Sequence, residues 1–181
     1  MVHANRTIGA DLGGAGVDGA GTGLRGQLAR HALLPLRLFL GATFIYAGVD
    51  KLMDHAFLAA GGAGSLGEML RQVHDAAALP QLVDLAQKSP VGFGYAIAAG
   101  ELAVGLGILV GLLGRLAAFG GALISLTLWL TVSWATTPYY YGNDLAYLMA
   151  WLPLVLAGTP MLSLDAVLAH RRKRHGAQLF G

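Results

Sequence analysis

Three observations predict an all-α fold, an integral membrane four-helix bundle with short interfacial helices in its first outer loop. Four apolar stretches, at about 33–53, 93–113, 116–135 and 145–162, each approach the ~20 residues that cross ~30 Å of hydrocarbon. Only 12% of the 181 residues are charged and 55% are apolar, against about 25% charged in a soluble domain. Basic residues also gather on one side of the predicted spans, as they do in the cytoplasmic loops of membrane proteins.

Residues 1–30 mix Gly, Ala and charged residues and read as a flexible cytoplasmic tail. The membrane domain, 31–162, opens with the first span, which Arg6, Arg25, Arg30 and Arg37 precede or begin. Arg37, Gly41, Phe44, Gly48 and Lys51 recur at helical spacing and share one stripe of it. The outer loop, 54–92, holds Asp54, Glu68, Asp75 and Asp84 against Arg71 and Lys88. Within it Ser65 and Glu68 have capping-box spacing, and Pro80 suits the first turn of a second short helix ending near Gln87. These helices are expected to lie over the outer mouth of the bundle, either as part of a site or as an ordered connector.

The second span carries Gly100, Gly107, Gly111 and Gly114, a small-residue seam that suits close helix packing. Arg115 follows in the tight turn to the third span. Tyr139, Tyr140 and Tyr141 after Pro138 form an aromatic turn before the fourth span, which Pro153 should kink. Ser163 can cap a cytoplasmic helix leading into the basic run Arg171–Arg174, within a C-terminal segment, 163–181. Both termini are therefore expected in the cytoplasm.

Composition also excludes chemistry. With no cysteines the chain cannot ligate an iron–sulfur cluster through thiolates or exchange disulfides. Its six histidines all fall outside the predicted spans, so a bis-histidine haem inside the bundle is not expected. Basic residues without aromatic interleaving give no nucleic-acid footprint.

Glu101 is the most informative residue. It sits inside the second apolar stretch, where a carboxylate costs about 2.5–3.5 kcal/mol on insertion scales and needs a partner, a proton or water. Lys51 and Arg37 are the candidate partners, with Lys51 favoured because Glu101 lies nearer the outer face. The pair would either lock two helices or form a polar site. Asp50 and Asp144 are expected at the outer interface. Trp129, Trp134, Tyr147 and Trp151 suit aromatic belts or an apolar ligand wall.

Several segments together resemble the DoxX superfamily, in its DoxD-like branch named for the small subunit of thiosulfate:quinone oxidoreductase. They are LRLFLGATFIYAGVDKLMD, with Arg37, Gly41, Tyr46, Gly48 and Lys51; GELAVGLGILVGLLGR, with Gly100, Glu101, Gly105, Gly111 and Arg115; PYYYGNDLAYLMAWLPLVLAG; and SLDA at 163–166. The resemblance implies a bacterial or archaeal cell-membrane subunit that passes electrons to an isoprenoid quinone beside a second protein subunit, oxidising thiosulfate or a related sulfur compound. The alternative is a non-catalytic anchor or assembly subunit for respiratory or oxidative-stress proteins. In the first reading Glu101 relays a proton, while Arg37, Tyr46, Lys51 and Tyr147 contact quinone or substrate, an oxyanion at a cationic external site included. The glycine seams would serve the bundle itself or a homo-oligomer.

Overall fold

The computed structural model describes residues 31–158; the expected N-terminal tail and the C-terminal helix and basic tail lie outside them. Six α-helices and no strand occur among the described residues: α1 (Leu34–Met53), α2 (Leu66–Val73), α3 (Pro80–Gln87), α4 (Pro90–Val110), α5 (Gly114–Thr131) and α6 (Asn143–Ala157). Short 3₁₀ turns at His74–Ala76 and Tyr139–Tyr141 join α2 to α3 and α5 to α6.

The four long helices pack in sequence around one core. α1 lies along α4, α4 meets α5, α5 lies along α6, and α6 returns to touch α1. Leu40 and Phe44 from α1, Val104 and Ile108 from α4, Ala118 and Ala122 from α5, and Trp151 and Leu154 from α6 fill the interior. The outward faces stay apolar, with Leu38, Phe39, Leu106, Leu116, Phe119, Leu123, Met149 and Leu156 all exposed. Water does not tolerate so large an apolar surface on a monomer, whereas hydrocarbon does.

Among the described residues, only α4 and α5 are both long and apolar enough to cross a membrane by length and composition. The first stretch falls short because Arg37, Asp50 and Lys51 interrupt α1. α6 is a shorter apolar helix ending at Ala157, where Gly158 leaves the helix at φ +73°. Pro153 is accommodated within α6, and its turn does not end the helix.

Close approach of α1 and α4 rests on glycines. A Cβ on Gly105 would come within 2.8 Å of the Gly41 carbonyl oxygen and 2.9 Å of the Ile45 nitrogen. One on Gly48 would meet the Ala98 carbonyl oxygen at 2.8 Å. In the expected seam of Gly100, Gly107, Gly111 and Gly114, Gly107 packs closely on α5, where a Cβ would lie 3.1 Å from that of Ala117, but neither it nor Gly100 faces α1 backbone in this way. Gly100 has only the Ile124 side chain at 3.6 Å, while Gly111, at φ +70°, closes α4 by donating to the Gly107 carbonyl at 2.9 Å. Gly114 opens α5. Spacing identified small residues on α4, but only packing against α1 decides which of them a side chain cannot replace. Trp151 likewise departs from the expected interfacial belt. It is fully buried, its ring over Gly121 and edge-on to Phe44 at 4.9 Å.

The segment between α1 and α4 forms a second, smaller core of Phe57, Leu66, Leu70, Val83 and Ala86 against Phe93 and Ile97 at the start of α4. Asp54 begins it by accepting from the Ala56 and Phe57 amides. Ser65 caps α2, accepting from the Glu68 amide at 3.3 Å. The reciprocal half of the expected capping box is absent, because the Glu68 carboxylate pairs with Arg71 and Gln72 instead. α3 spans the expected Pro80–Gln87. The amides of Ala78 and Leu79 donate to the Leu130 carbonyl, which fastens this roof to the end of α5.

His74 ties the roof together. Its Nδ1 pairs with Asp75 at 2.8 Å and its Nε2 with Asp84 at 3.0 Å. Hydrogen bonds to Asp75 first and Asp84 second raise its pKa above the ordinary value. A raised folded pKa means that the stabilisation is complete below about pH 6.5 and is lost as pH rises through the folded value. Hydrogen exchange in α2 and α3, corrected for intrinsic rates, should therefore show stronger protection near pH 6 than in mildly alkaline buffer. His74→Ala should abolish that difference.

The glycine contacts give a second expectation. Gly105→Ala and Gly48→Ala should each destabilise by about 1–3 kcal/mol, as overpacking against backbone does. Gly100→Ala should fall within about ±0.5 kcal/mol. Reversible unfolding in mixed micelles measures all three, and equal effects would contradict the seam described above.

Candidate functional site: an ion-paired polar chamber

Gly48 positions the central pair. Without a Cβ there, α1 lies against the Ala98 carbonyl and Leu102 of α4, and one turn further on Lys51 reaches Glu101. The Lys51 Nζ lies 2.9 Å from both carboxylate oxygens and also donates to the Ala47 carbonyl at 3.4 Å. The Glu101 side chain is 4% exposed and that of Lys51 24%. The carboxylate is thus enclosed while the ammonium keeps one side open.

That open side faces a cavity of about 520 Å³, within the usual range for small-molecule sites. Tyr46, Asp50 and Lys51 from α1, Glu101 from α4, Ser125 from α5, and Asp144 and Tyr147 from α6 line it. Tyr46 is exposed, and Tyr147 is half-buried with its ring 6.3 Å from Phe44. Asp144 accepts a hydrogen bond from the Ser133 hydroxyl. Ser125 is 1% exposed, and its Oγ has no hydrogen-bond partner among the described residues. Buried hydroxyls are rarely left so, and an orphan on a cavity wall suits a ligand.

A second cavity of about 260 Å³ adjoins the first, lying between the roof, the start of α4 and the end of α5. It is walled by apolar side chains such as Leu70, Val83 and Phe93. Lys51, Leu128, Val132 and Asp144 line both cavities.

Of the residues singled out from sequence, Tyr46, Lys51, Glu101 and Tyr147 come together in the polar chamber. Arg37 does not. It is buried at the opposite end of α1, its guanidinium donating to the carbonyls of Ile108 and Leu109 at the end of α4. Helix C-termini leave such carbonyls unpaired, and a cation satisfies them well. The expected cationic oxyanion pocket is also corrected. The chamber brings three carboxyl groups, Asp50, Glu101 and Asp144, to one ammonium. Asp144 is half-buried within it, in the first turn of α6.

Ser125 and the apolar cavity were missed in the sequence. A lone serine is unremarkable in an apolar helix, and the cavity depends on how the roof docks. Asp144 carried a signal: it lies three residues before Tyr147, on the same helix face.

Helical packing, a lipid-compatible exterior and an ion-paired chamber between helices define a membrane protein with an internal polar site. Residues 32–179 match the family described as the TQO small subunit DoxD, and the chain belongs to that family. No curated protein and no solved structure matches it.

A lone Glu101 would be costly to keep. Lys51→Met should destabilise by about 3–5 kcal/mol, because it strands a buried charge. Adding Glu101→Gln to Lys51→Met should restore part of that loss, and simple additivity of the two substitutions would show that they do not interact.

Proposed function

We propose that this chain is the membrane subunit of a quinone-linked oxidoreductase and that its polar chamber receives the quinone ring. The family description supports the class of complex. The observation that carries the site is the Lys51–Glu101 pair beside the unpartnered Ser125 hydroxyl, on one chamber wall. A quinone ring is neutral and carries two carbonyl acceptors, and its reduction consumes protons as well as electrons. Lys51 offers an ammonium donor that the carboxylate holds in place, and Ser125 offers a hydroxyl. Glu101 can hold or release a proton beside them, and Tyr46 and Tyr147 give further phenolic donors and aromatic wall.

The charge balance bears on substrate choice. Three carboxyl groups against one ammonium repel an oxyanion such as thiosulfate, whereas a neutral ring is indifferent to them. In this reading a sulfur oxyanion is oxidised on a second subunit and only electrons reach the chamber. With no cysteine in the chain, those electrons come from the partner. Four crossings with both termini cytoplasmic would set the chamber at the outer face, consistent with Arg37 and Arg115 at one end of the helices and Asp50, Glu101 and Asp144 towards the other.

Lipid extracts of the gently purified protein should contain stoichiometric quinone by mass spectrometry. Glu101→Gln should deplete it. Ser125→Ala should weaken quinone binding by about 1–2 kcal/mol, roughly 5–30-fold, the value of a lost hydrogen bond. Absence of quinone from the wild-type extract, with co-purifying redox proteins, would favour the anchoring subunit instead.

A further inference from the structure

We infer that the apolar cavity beneath the outer helices is a second subsite of the same ligand, holding the first part of its apolar chain while the ring occupies the polar chamber. This rests on the quinone reading and extends it to residues outside the ion-paired site.

The two cavities are continuous in their walls. Lys51, Leu128, Val132 and Asp144 belong to both, so Lys51 and Asp144 mark a threshold between polar and apolar space. Beyond it the wall is made by Phe57, Leu70, Val83, Ala86, Phe93 and Ile97. Val83 and Ala86 are almost fully buried.

Water is a poor occupant of that space. Apart from Lys51 and Asp144 on the wall shared with the polar chamber, its polar side chains are two threonines, whose hydroxyl protons are already donated within α5. Thr127 donates to the Leu123 carbonyl at 2.9 Å, and Thr131 donates to the Thr127 carbonyl at 2.7 Å. A trapped water needs two to four polar partners, and apolar cavities without them stay dry and take apolar guests. The polar chamber next door has the opposite character, with an orphan hydroxyl and ionisable groups. An amphiphile with a neutral polar head and a hydrocarbon chain satisfies both at once.

At about 260 Å³ the cavity takes only the beginning of a long chain. Met69 lines it and is 42% exposed, which gives the remainder an exit beneath α2. The roof therefore selects for a chain as well as covering the site.

The test uses the full chain in lipid nanodiscs and two synthetic benzoquinones, one without a tail and one with a decyl tail. Wild type should bind the tailed compound more tightly by roughly 10-fold or more, since each buried methylene favours binding. Val83→Phe and Ala86→Leu, which fill the cavity, should erase that advantage and leave the tailless affinity unchanged. The tailless affinity also reports that the variants are folded. A tail advantage that survives both substitutions would overturn the subsite while leaving the quinone reading intact. Failure of both compounds to bind wild type would overturn the quinone reading and this inference with it.

A decyl quinone with a photoreactive group near the ring end of its tail gives an independent readout on wild type. Labels on Leu70, Val83 or Phe93 are expected. Labels confined to outward residues such as Leu106, Phe119 and Leu123 would place the chain in bulk lipid and refute the subsite.

Discussion

A carboxylate and an ammonium held together in apolar surroundings impose the condition that the rest of the structure meets. Neither Glu101 nor Lys51 can be kept at that depth alone, since desolvating an ion costs several kcal/mol even after relaxation. Their 2.9 Å contact requires α1 and α4 to approach more closely than ordinary side chains permit. Gly48 and Gly105 allow it, each facing backbone atoms of the neighbouring helix at distances no Cβ could occupy. The glycines, the pair and the chamber are therefore one device.

Pairing alone would be satisfied by two side chains in a dry interface. Here the acid is enclosed and the base is open to a cavity, so one member of the pair faces the helix interface and the other faces open space. Glu101 is the fixed member. Lys51 is anchored by it and still presents donor capacity towards the chamber. The roof made by α2 and α3 adds a wall that the four long helices do not supply, and two backbone hydrogen bonds to the Leu130 carbonyl fasten it to the end of α5.

Much of the helical pattern was legible in the sequence. Length and hydropathy marked α4 and α5, Pro80 marked α3, and Ser65 marked the start of α2, because these signals are local. The Lys51–Glu101 contact was legible as a requirement, since a charge in an apolar segment demands a partner. Its choice over Arg37 followed from which end of the helix each occupies. What could not be read was three-dimensional. Gly105 looked like any other glycine on α4 until α1 was laid beside it. Trp151 had the composition of a belt residue, yet Gly121 opens a slot that buries its ring. The capping box failed at Glu68 because Arg71, one turn along, offers a charge that the Ser65 amide does not.

The charged residues of the long helices divide by end, and the helix termini explain why. Arg37, at the start of α1, satisfies the carbonyls of Ile108 and Leu109 where α4 ends. Arg115, at the start of α5, donates to the Leu156 carbonyl where α6 ends, and Gly158 packs on its side chain. Two arginines thus occupy the negative ends of two helix dipoles. At the other end the order is reversed: Asp144 lies in the first turn of α6 and Lys51 in the last turn of α1, each suited to its helix terminus. One end of the bundle spends its charges on closing helices. The other retains carboxyl groups, an ammonium and an orphan hydroxyl around open space, so among the described residues the polar groups that face a cavity gather at that end.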